Sequence, residues 1–368
     1  MMTGNNKLRV EKRRDLATGI REERVMRRIV FAVSAAAFAC GVAAAGAEAK
    51  NYNLKLSYWV PPTHLLTPGY KEWAAGVEKA SGGTIKTTLF PSSQLGSGRD
   101  HYDMVKRGVA DMGLINPGYT PGRFPVLGAS DLPFMISDSL PGARAIDRWY
   151  SKYAAKEMPE HYVCHVFTHD IATIHTVKKE IKVPEDVKGL KIRTANQITS
   201  RFITDLGATP VQVPIMEAKD TLKKGITDGI TVTMGGVSLN STFKFGEVVK
   251  YTLDVPLYVS TFTHGITKEL YNEMAADQKK AIDSHCGPEW SAKVYRYWYE
   301  DDKKDQADAR KLAGHVWTKV GPAETALWRK AAVPVYEFWA DSVKKAGLNP
   351  DRVLEDLREE LKKENALF

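Results

Sequence analysis

Cysteine is scarce in this chain, with three residues in 368, and one of them, Cys40, lies within the first 49 positions. That scarcity excludes a disulfide-built scaffold. A bridge between the remaining two, Cys164 and Cys286, is permitted but not expected, because nothing in the sequence brings them together. An excess of one charge is also missing. The formal net charge is +8, but residues 1–49 carry 9 Lys/Arg against 5 Asp/Glu, so the rest is close to balance. No basic tract follows, so nucleic acid is not expected as a partner. Long apolar runs are confined to Ile29–Val42, and beyond Val42 no stretch could span a bilayer. Signatures of catalysis are absent as well: there is no P-loop, no G-x-S-x-G elbow and no H-E-x-x-H helix. Gly96-Ser97-Gly98 is only half of a dinucleotide fingerprint, without a third glycine or a strand leading into it. No catalytic residue and no cofactor is therefore expected.

Histidine and cysteine do gather once, as His161, Cys164, His165 and His169. The segment HYVCHVFTHD is strand-like, however, and His161, His165 and His169 on one strand face lie too far apart to converge on one ion. No metal is expected there. At the front, Arg27-Arg28 precede the apolar run, and small residues then end in Ala47-Glu48-Ala49, an A-x-A site before Lys50. This pattern reads as a removable leader with cleavage after Ala49, which sends the mature chain out of the cytoplasm. Met26, just before the basic pair, offers a second start. Ala37-Phe38-Ala39 before Cys40 is a poor box for lipid attachment.

The body of the chain reads as alternating strands and helices. Asn51–Val60 alternates like a strand, Tyr70–Ala80 carries a helical apolar stripe, and Thr84–Phe90 is a second strand. Tyr102–Arg107 is helical and Ala110–Asn116 is strand. Leu140–Met158 reads as one helix, and Tyr162–Val166 and Ala172–Val177 as strands. Val248–Asp254 and Tyr258–Ile266 look like strands returning toward the first half. From Lys268 on the chain is almost wholly helical, with a long charged helix around Lys293–Ala313. With 368 residues the chain is long for a single core, so two lobes are expected. They are read as residues 50–170 plus about 258–300, and 171–257 plus about 301–368 with the helices between the lobes, after a leader of residues 1–49.

The densest stretch is Lys188–Thr233, which packs strand, helix, strand, helix and strand into a short span. Leu190, Ile192 and Thr194 alternate with Lys191, Arg193 and Ala195. Phe202, Ile203 and Leu206 recur at helical spacing, and Gly207 and Gly225 stand where left-handed residues end helices. This spacing predicts a parallel α/β sheet. Ligands of such sheets sit beyond the carboxyl ends of the strands, where Arg193 and Thr231-Val232-Thr233 lie. A guanidinium there suits a carboxylate, which it can hold through two parallel charge-assisted hydrogen bonds.

Several short motifs now line up along the chain. They are Gly82-Gly83-Thr84-Ile85-Lys86 running into Leu89-Phe90-Pro91, Gln94-Leu95-Gly96, and Val105-Lys106-Arg107-Gly108-Val109-Ala110-Asp111-Met112-Gly113. Gly118-Tyr119, Arg123-Phe124-Pro125 and Leu132-Pro133-Phe134 follow. The most specific are Lys188-Gly189-Leu190-Lys191-Ile192-Arg193, Gly207-Ala208-Thr209-Pro210 and Gly225-Ile226-Thr227-Asp228-Gly229. In this order the chain from about Lys50 resembles the periplasmic solute-binding subunit of a TRAP (tripartite ATP-independent periplasmic) transporter.

That resemblance implies an α/β, two-lobe periplasmic binding protein fold with an interlobe cleft, crossing strands and a long C-terminal helical region. It implies a small organic-acid ligand whose carboxylate is clamped by Arg193, and partners in the small and large permease subunits driven by an ion gradient. Sialic-acid-binding members carry an asparagine where Val232 stands here, and a second arginine where Thr173 stands, so that ligand is not implied. With one cationic anchor, a 2-oxo, hydroxy or aromatic monocarboxylate is the expected ligand. A C4-dicarboxylate is the alternative, with His169, His175 or Lys178 supplying further donors. Trp59, Tyr119 and Phe134 are candidates for apolar walls. Thr173, His175, Asn116, Thr231, Val232 and Thr233 complete the expected site. An exported enzyme with His64 or His175 as base, or a ligand sensor, would use the same cleft.

Overall fold

A computed structural model describes residues 50–368; the leader, its cleavage point after Ala49, the alternative start at Met26 and Cys40 lie outside the described residues. The strands are β1 (Tyr52–Ser57), β2 (Ile85–Phe90), β3 (Met112–Ile115), β4 (His161–Thr168), β5 (Ala172–Thr176) and β6 (Lys191–Thr194). They continue with β7 (Thr209–Gln212), β8 (Gly229–Thr233), β9 (Tyr251–Leu253), β10 (Thr261–Thr267) and β11 (Val316–Thr318). The helices are α1 (Leu66–Ala80), α2 (His101–Lys106), α3 (Ser139–Tyr150), α4 (Ala154–Glu157), α5 (Gln197–Asp205) and α6 (Ile215–Lys223). After them come α7 (Lys268–Glu273), α8 (Ala276–Asp283), α9 (Pro288–Ala309), α10 (Pro322–Lys345) and α11 (Pro350–Lys363). None of these helices is long and apolar enough to cross a membrane.

Two mixed sheets organise the fold. The first runs β2-β1-β3-β10-β4 and the second β11-β9-β5-β8-β6-β7. Within the Lys188–Thr233 stretch the parallel pairing expected from sequence is present: β6 lies between β7 and β8, parallel to both. The rest of that sheet is mixed, because β5 runs antiparallel to both β8 and β9. The reason is connectivity. β5 arrives directly from the first sheet after a short link, and β10 returns to it, so no crossover helix fixes their direction. The crossing segments are tied to each other by the Ala172–Tyr258 bridge.

Helix ends follow local chemistry. Asn196 accepts from Thr199 N at 2.7 Å to start α5, and Gly207, at φ +77°, supplies the left-handed residue beyond its end. The segment read as one helix from Leu140 to Met158 is broken after Tyr150 by a turn, and α4 is a separate short helix. α10 straps the sheets from behind. Near its start the indole of Trp328 donates to Lys182 O at 3.0 Å, and farther along Trp339 donates to Pro125 O at 2.9 Å. α11 packs on α3, where Trp149 donates to Val353 O at 3.0 Å and Arg148 pairs with Glu360 at 2.9 Å. Cys164 on β4 and Cys286 before α9 form a disulfide, contrary to the sequence expectation. The chain after α8 doubles back against β4, where Gly287 N donates to Cys164 O at 2.9 Å. A separation of 122 residues thereby collapses to neighbours.

Candidate functional site

Arg193 is the penultimate residue of β6, and parallel pairing sets it beside Ile230 of β8 and Val211 of β7. Its side chain is almost fully buried. Nε and Nη2 donate to Val213 O at 2.9 and 2.7 Å, and Nη1 donates to Thr231 O at 3.3 Å. A guanidinium has five N–H donors, so this backbone cradle orients the fork and leaves about two donors for a ligand. Among the described residues no carboxylate pairs with it at ion-pair distance. Burial pulls its pKa down, and the nearby Tyr119 and Tyr258 hydroxyls push the other way. A buried cation without a counter-ion is costly to maintain, and an incoming anion would relieve that cost.

The cavity in front of Arg193 has a volume of about 60 Å³. One water needs roughly 10–15 Å³ on this measure, so the space holds on the order of four to six waters, the size of a small organic molecule. Its walls are ringed by aromatics. Trp59 lies 5.6 Å from Tyr119 and 6.2 Å from Phe262 between ring centres, and Phe262 lies 5.6 Å from Trp298. Trp59 Nε1 is buried without a hydrogen-bond partner among the described residues. The segments that follow β3 and β7 are tied to each other beside the space. Ile215 N donates to Tyr119 Oη at 3.0 Å, Gln212 Nε2 to Gly118 O at 2.6 Å, and Arg99 Nη2 to Gln212 O at 3.2 Å. A side chain at Gly118 would meet Asn196 Cβ at 2.4 Å, so glycine is what allows the two sides to approach there.

Seven of the ten residues expected from sequence line this cavity: Arg193, Trp59, Asn116, Tyr119, Thr231, Val232 and Thr233. Three do not. Thr173 is spent internally, its hydroxyl donating to Leu253 O at 2.8 Å. His175 pairs in register with Ile230, one step farther from the carboxyl end of β8, and its ring binds Thr252 Oγ1 at 2.8 Å and Val232 O at 3.2 Å. Burial lowers its pKa to about 3. Phe134 lies outside the cavity lining, 6.1 Å from Phe368 and under Arg329. Lys178 is exposed and outside the cavity. His169 does line it, but both ring nitrogens are engaged: Nδ1 donates to Asp170 O at 2.6 Å and Nε2 accepts from Ser260 N at 3.1 Å. It is a positioned neutral ring, its pKa lowered to about 4 by burial.

Sequence reasoning passed over one whole wall. Trp298, Asp301, Asp302 and Asp305 of α9 all line the cavity. Ser291, Tyr295, Trp298, Asp302, Asp305 and Ala309 share one helical stripe, and two aspartates at buried positions of such a stripe were a readable signal. His64 and Phe243 also line the site, with His64 edge-on to Trp298 at 4.8 Å. His64 Nδ1 accepts from Leu66 N at 3.2 Å, and burial lowers its pKa to about 3. Among the described residues no hydrogen bond joins it to a carboxylate, so it lacks the partner a general base needs.

A sequence model of the bacterial extracellular solute-binding proteins, family 7, matches residues 56–342, well over half of the chain. The chain belongs to that family. Members of family 7 are the periplasmic solute receptors of TRAP transporters; they bind small ligands, including organic acids, and work with membrane permease subunits. The family and its fold are those of binding receptors, not enzymes. A TRAP solute-binding protein from Rhodoferax ferrireducens T118, solved with copurified benzoate, is 28% identical, with a TM-score of 0.78 over 85% of this chain and 98% of its own. A marine metagenome protein from an unidentified microbe, described as specific for aromatic acid ligands and solved with 3-hydroxybenzoate, is also 28% identical. Its TM-score is 0.79 over 86% of this chain and 99% of its own. The 2,3-diketo-L-gulonate-binding periplasmic protein YiaO of Escherichia coli K12 is 24% identical over 286 residues, 77% of this chain and 86% of that protein.

Proposed function

We propose that this family 7 receptor captures a small aromatic monocarboxylate, with Arg193 holding the carboxylate and the Trp59, Tyr119, Phe262 and Trp298 rings enclosing the aromatic body. The observation that carries the reading is the buried Arg193 fork, oriented by two backbone carbonyls and lining a ring-walled cavity. Two relatives at 28% identity were solved with benzoate and 3-hydroxybenzoate, and the size of this cavity suits ligands of that kind. A C4-dicarboxylate would bring a second anionic end, and Arg193 is the only lysine or arginine among the described lining residues. Capture in this reading closes the two lobes over the acid, and the loaded receptor hands it to the small and large permease subunits. Residues 1–49 direct export to the periplasm, with cleavage after Ala49.

The test is a thermal-shift panel of benzoate, 3-hydroxybenzoate, succinate, pyruvate and gluconate on parent and Arg193→Ala protein. At about 100 times its dissociation constant a ligand adds roughly 2.7 kcal/mol of stability, a readable rise in Tm. A rise with the aromatic acids that is lost in Arg193→Ala supports the proposal. A rise with succinate alone, or one unaffected by the substitution, sinks it.

A further inference from the structure

The cavity has two electrically opposite ends. Arg193 Nη1 is anchored to Thr231 O, and Asp302 Oδ1 accepts from Thr233 Oγ1 at 2.8 Å. Thr231 and Thr233 are one two-residue repeat apart on β8, a spacing of about 7 Å. The acidic end is built into the fold: a side chain at Gly235 would stand 2.6 Å from Asp302 O, so glycine lets the turn after β8 press directly on α9. Asp302 is buried, and its second oxygen, Oδ2, has no hydrogen-bond partner among the described residues. Its neighbours do not satisfy it. Lys303 is committed to Asp170 at 2.9 Å, while Asp301 and Asp305 line the same wall and add like charge. Burial, followed by repulsion from Asp170, raises the pKa of Asp302 well above the usual carboxylate range, so without a donor the group keeps its proton, and a donor brought to Oδ2 favours the ionised, accepting form. A buried acceptor of this kind is expensive unless something donates to it.

Building on the Arg193 reading, we infer that the ligand is an acid with a hydrogen-bond donor, hydroxyl or ammonium, set several bonds from its carboxylate, and that Asp302 Oδ2 receives this donor. Arg193 fixes one end of the molecule and Asp302 selects what stands at the other. A donor on the carbon next to the carboxylate would be too close to span the two anchors. An unsubstituted apolar acid would leave Oδ2 unsatisfied, and a second carboxylate would meet three aspartates.

The experiment is calorimetric titration of the purified protein with benzoate, benzamide, 3-hydroxybenzoate, 4-hydroxybenzoate and 4-(aminomethyl)benzoate, repeated on Asp302→Asn. Asparagine keeps the shape and can still accept from Thr233, but presents an amide N–H where the unpaired oxygen stood. At least one donor-bearing acid is expected to bind tenfold or more tighter than benzoate, with the preference erased in Asp302→Asn. A larger gain from the aminomethyl compound than from the hydroxyl compounds would identify an ionised Asp302, and the reverse order a hydroxyl-bearing ligand; both support the inference. Benzoate binding as tightly as every substituted acid, or a preference that survives Asp302→Asn, overturns it while leaving the Arg193 reading intact. If benzamide binds as well as benzoate, or no acid binds, the Arg193 reading falls and this inference with it. The parent ranking alone decides between these outcomes should the variant fail to fold.

Discussion

At Arg193 three hydrogen bonds to backbone carbonyls do two jobs at once: they keep the buried guanidinium solvated by the protein and they aim its remaining donors. Truncation removes both the charge and the fork. Arg193→Ala should weaken acid binding by about 2–4 kcal/mol, or roughly 30- to 700-fold, measured by titration calorimetry. Arg193→Lys should recover little, because a single ammonium cannot follow both Val213 O and Thr231 O while offering a planar pair of donors. Recovery to within threefold of the parent would show that charge alone suffices. Arg193 was legible in the sequence because strand alternation and the following glycine-capped helix placed it at a carboxyl strand end. Thr173, His175 and Phe134 were misplaced for a different reason: residue type suggested a role, but antiparallel register and distant helices decided where each side chain went. Asp302 was hidden in a run of charges that resembled a solvated face until its helical phase was considered.

Elements with their own punctuation were the readable ones. Gly207 and Gly225, both in the left-handed region, ended α5 and α6 where the sequence said they should. β11 is three residues long and owes its existence to pairing with β9, which no local pattern announces. The Cys164–Cys286 bridge was illegible for the same reason, since it depends on the chain after α8 returning to β4. Closing so long a loop, the bridge should contribute about 2–4 kcal/mol. The Cys164→Ser/Cys286→Ser protein should melt correspondingly lower in chemical denaturation, and unchanged stability would mean that packing alone holds α9 against β4. The contact between α9 and the turn after β8 is equally specific. Gly235→Ala should cost about 1–3 kcal/mol by overpacking against Asp302 O. It should also weaken ligand binding, because the acidic wall moves with the helix.

Over the whole molecule, the two mixed sheets, the crossing strands and the α10 strap form a frame that brings residues from distant parts of the sequence to one cavity. The plan of two sheets was legible from strand–helix alternation that restarts after Asp170; the sense of β5 was not, because a crossing strand obeys connectivity and not local pattern. The frame also carries a pH signature. Burial raises the Asp131 carboxyl to about 8, and Glu157, likewise mostly through burial, to about 7. Both folded values exceed the unfolded carboxylate range of about 4, so between the two the folded state holds protons that the unfolded state has released. Their contribution to stability is therefore full below about pH 4 and is lost as pH rises toward about 8. Below about pH 6.5 the buried His64, His169 and His175, whose pKa values are lowered to about 3–4, give the opposite slope. Thermal melts should therefore show the decline above about pH 6.5, and Asp131→Asn should remove about 1–2 kcal/mol of the fall between there and about pH 8. The amide oxygen introduced at position 131 could still accept from Thr261 N and Oγ1, both of which bind Asp131 Oδ1 at 2.9 Å. A slope unchanged by the substitution would place the titration elsewhere.

Recognition of an aromatic acid by its carboxylate is most directly examined by titrating the purified protein with 3-hydroxybenzoate and with its uncharged counterpart, 3-hydroxybenzamide. The two differ only at the end assigned to Arg193. Saturable, stoichiometric binding of the acid, with the amide at least roughly 30-fold weaker and the difference gone in Arg193→Ala, is the expected result. Equal affinity for acid and amide, or tight binding of both by Arg193→Ala, would contradict it.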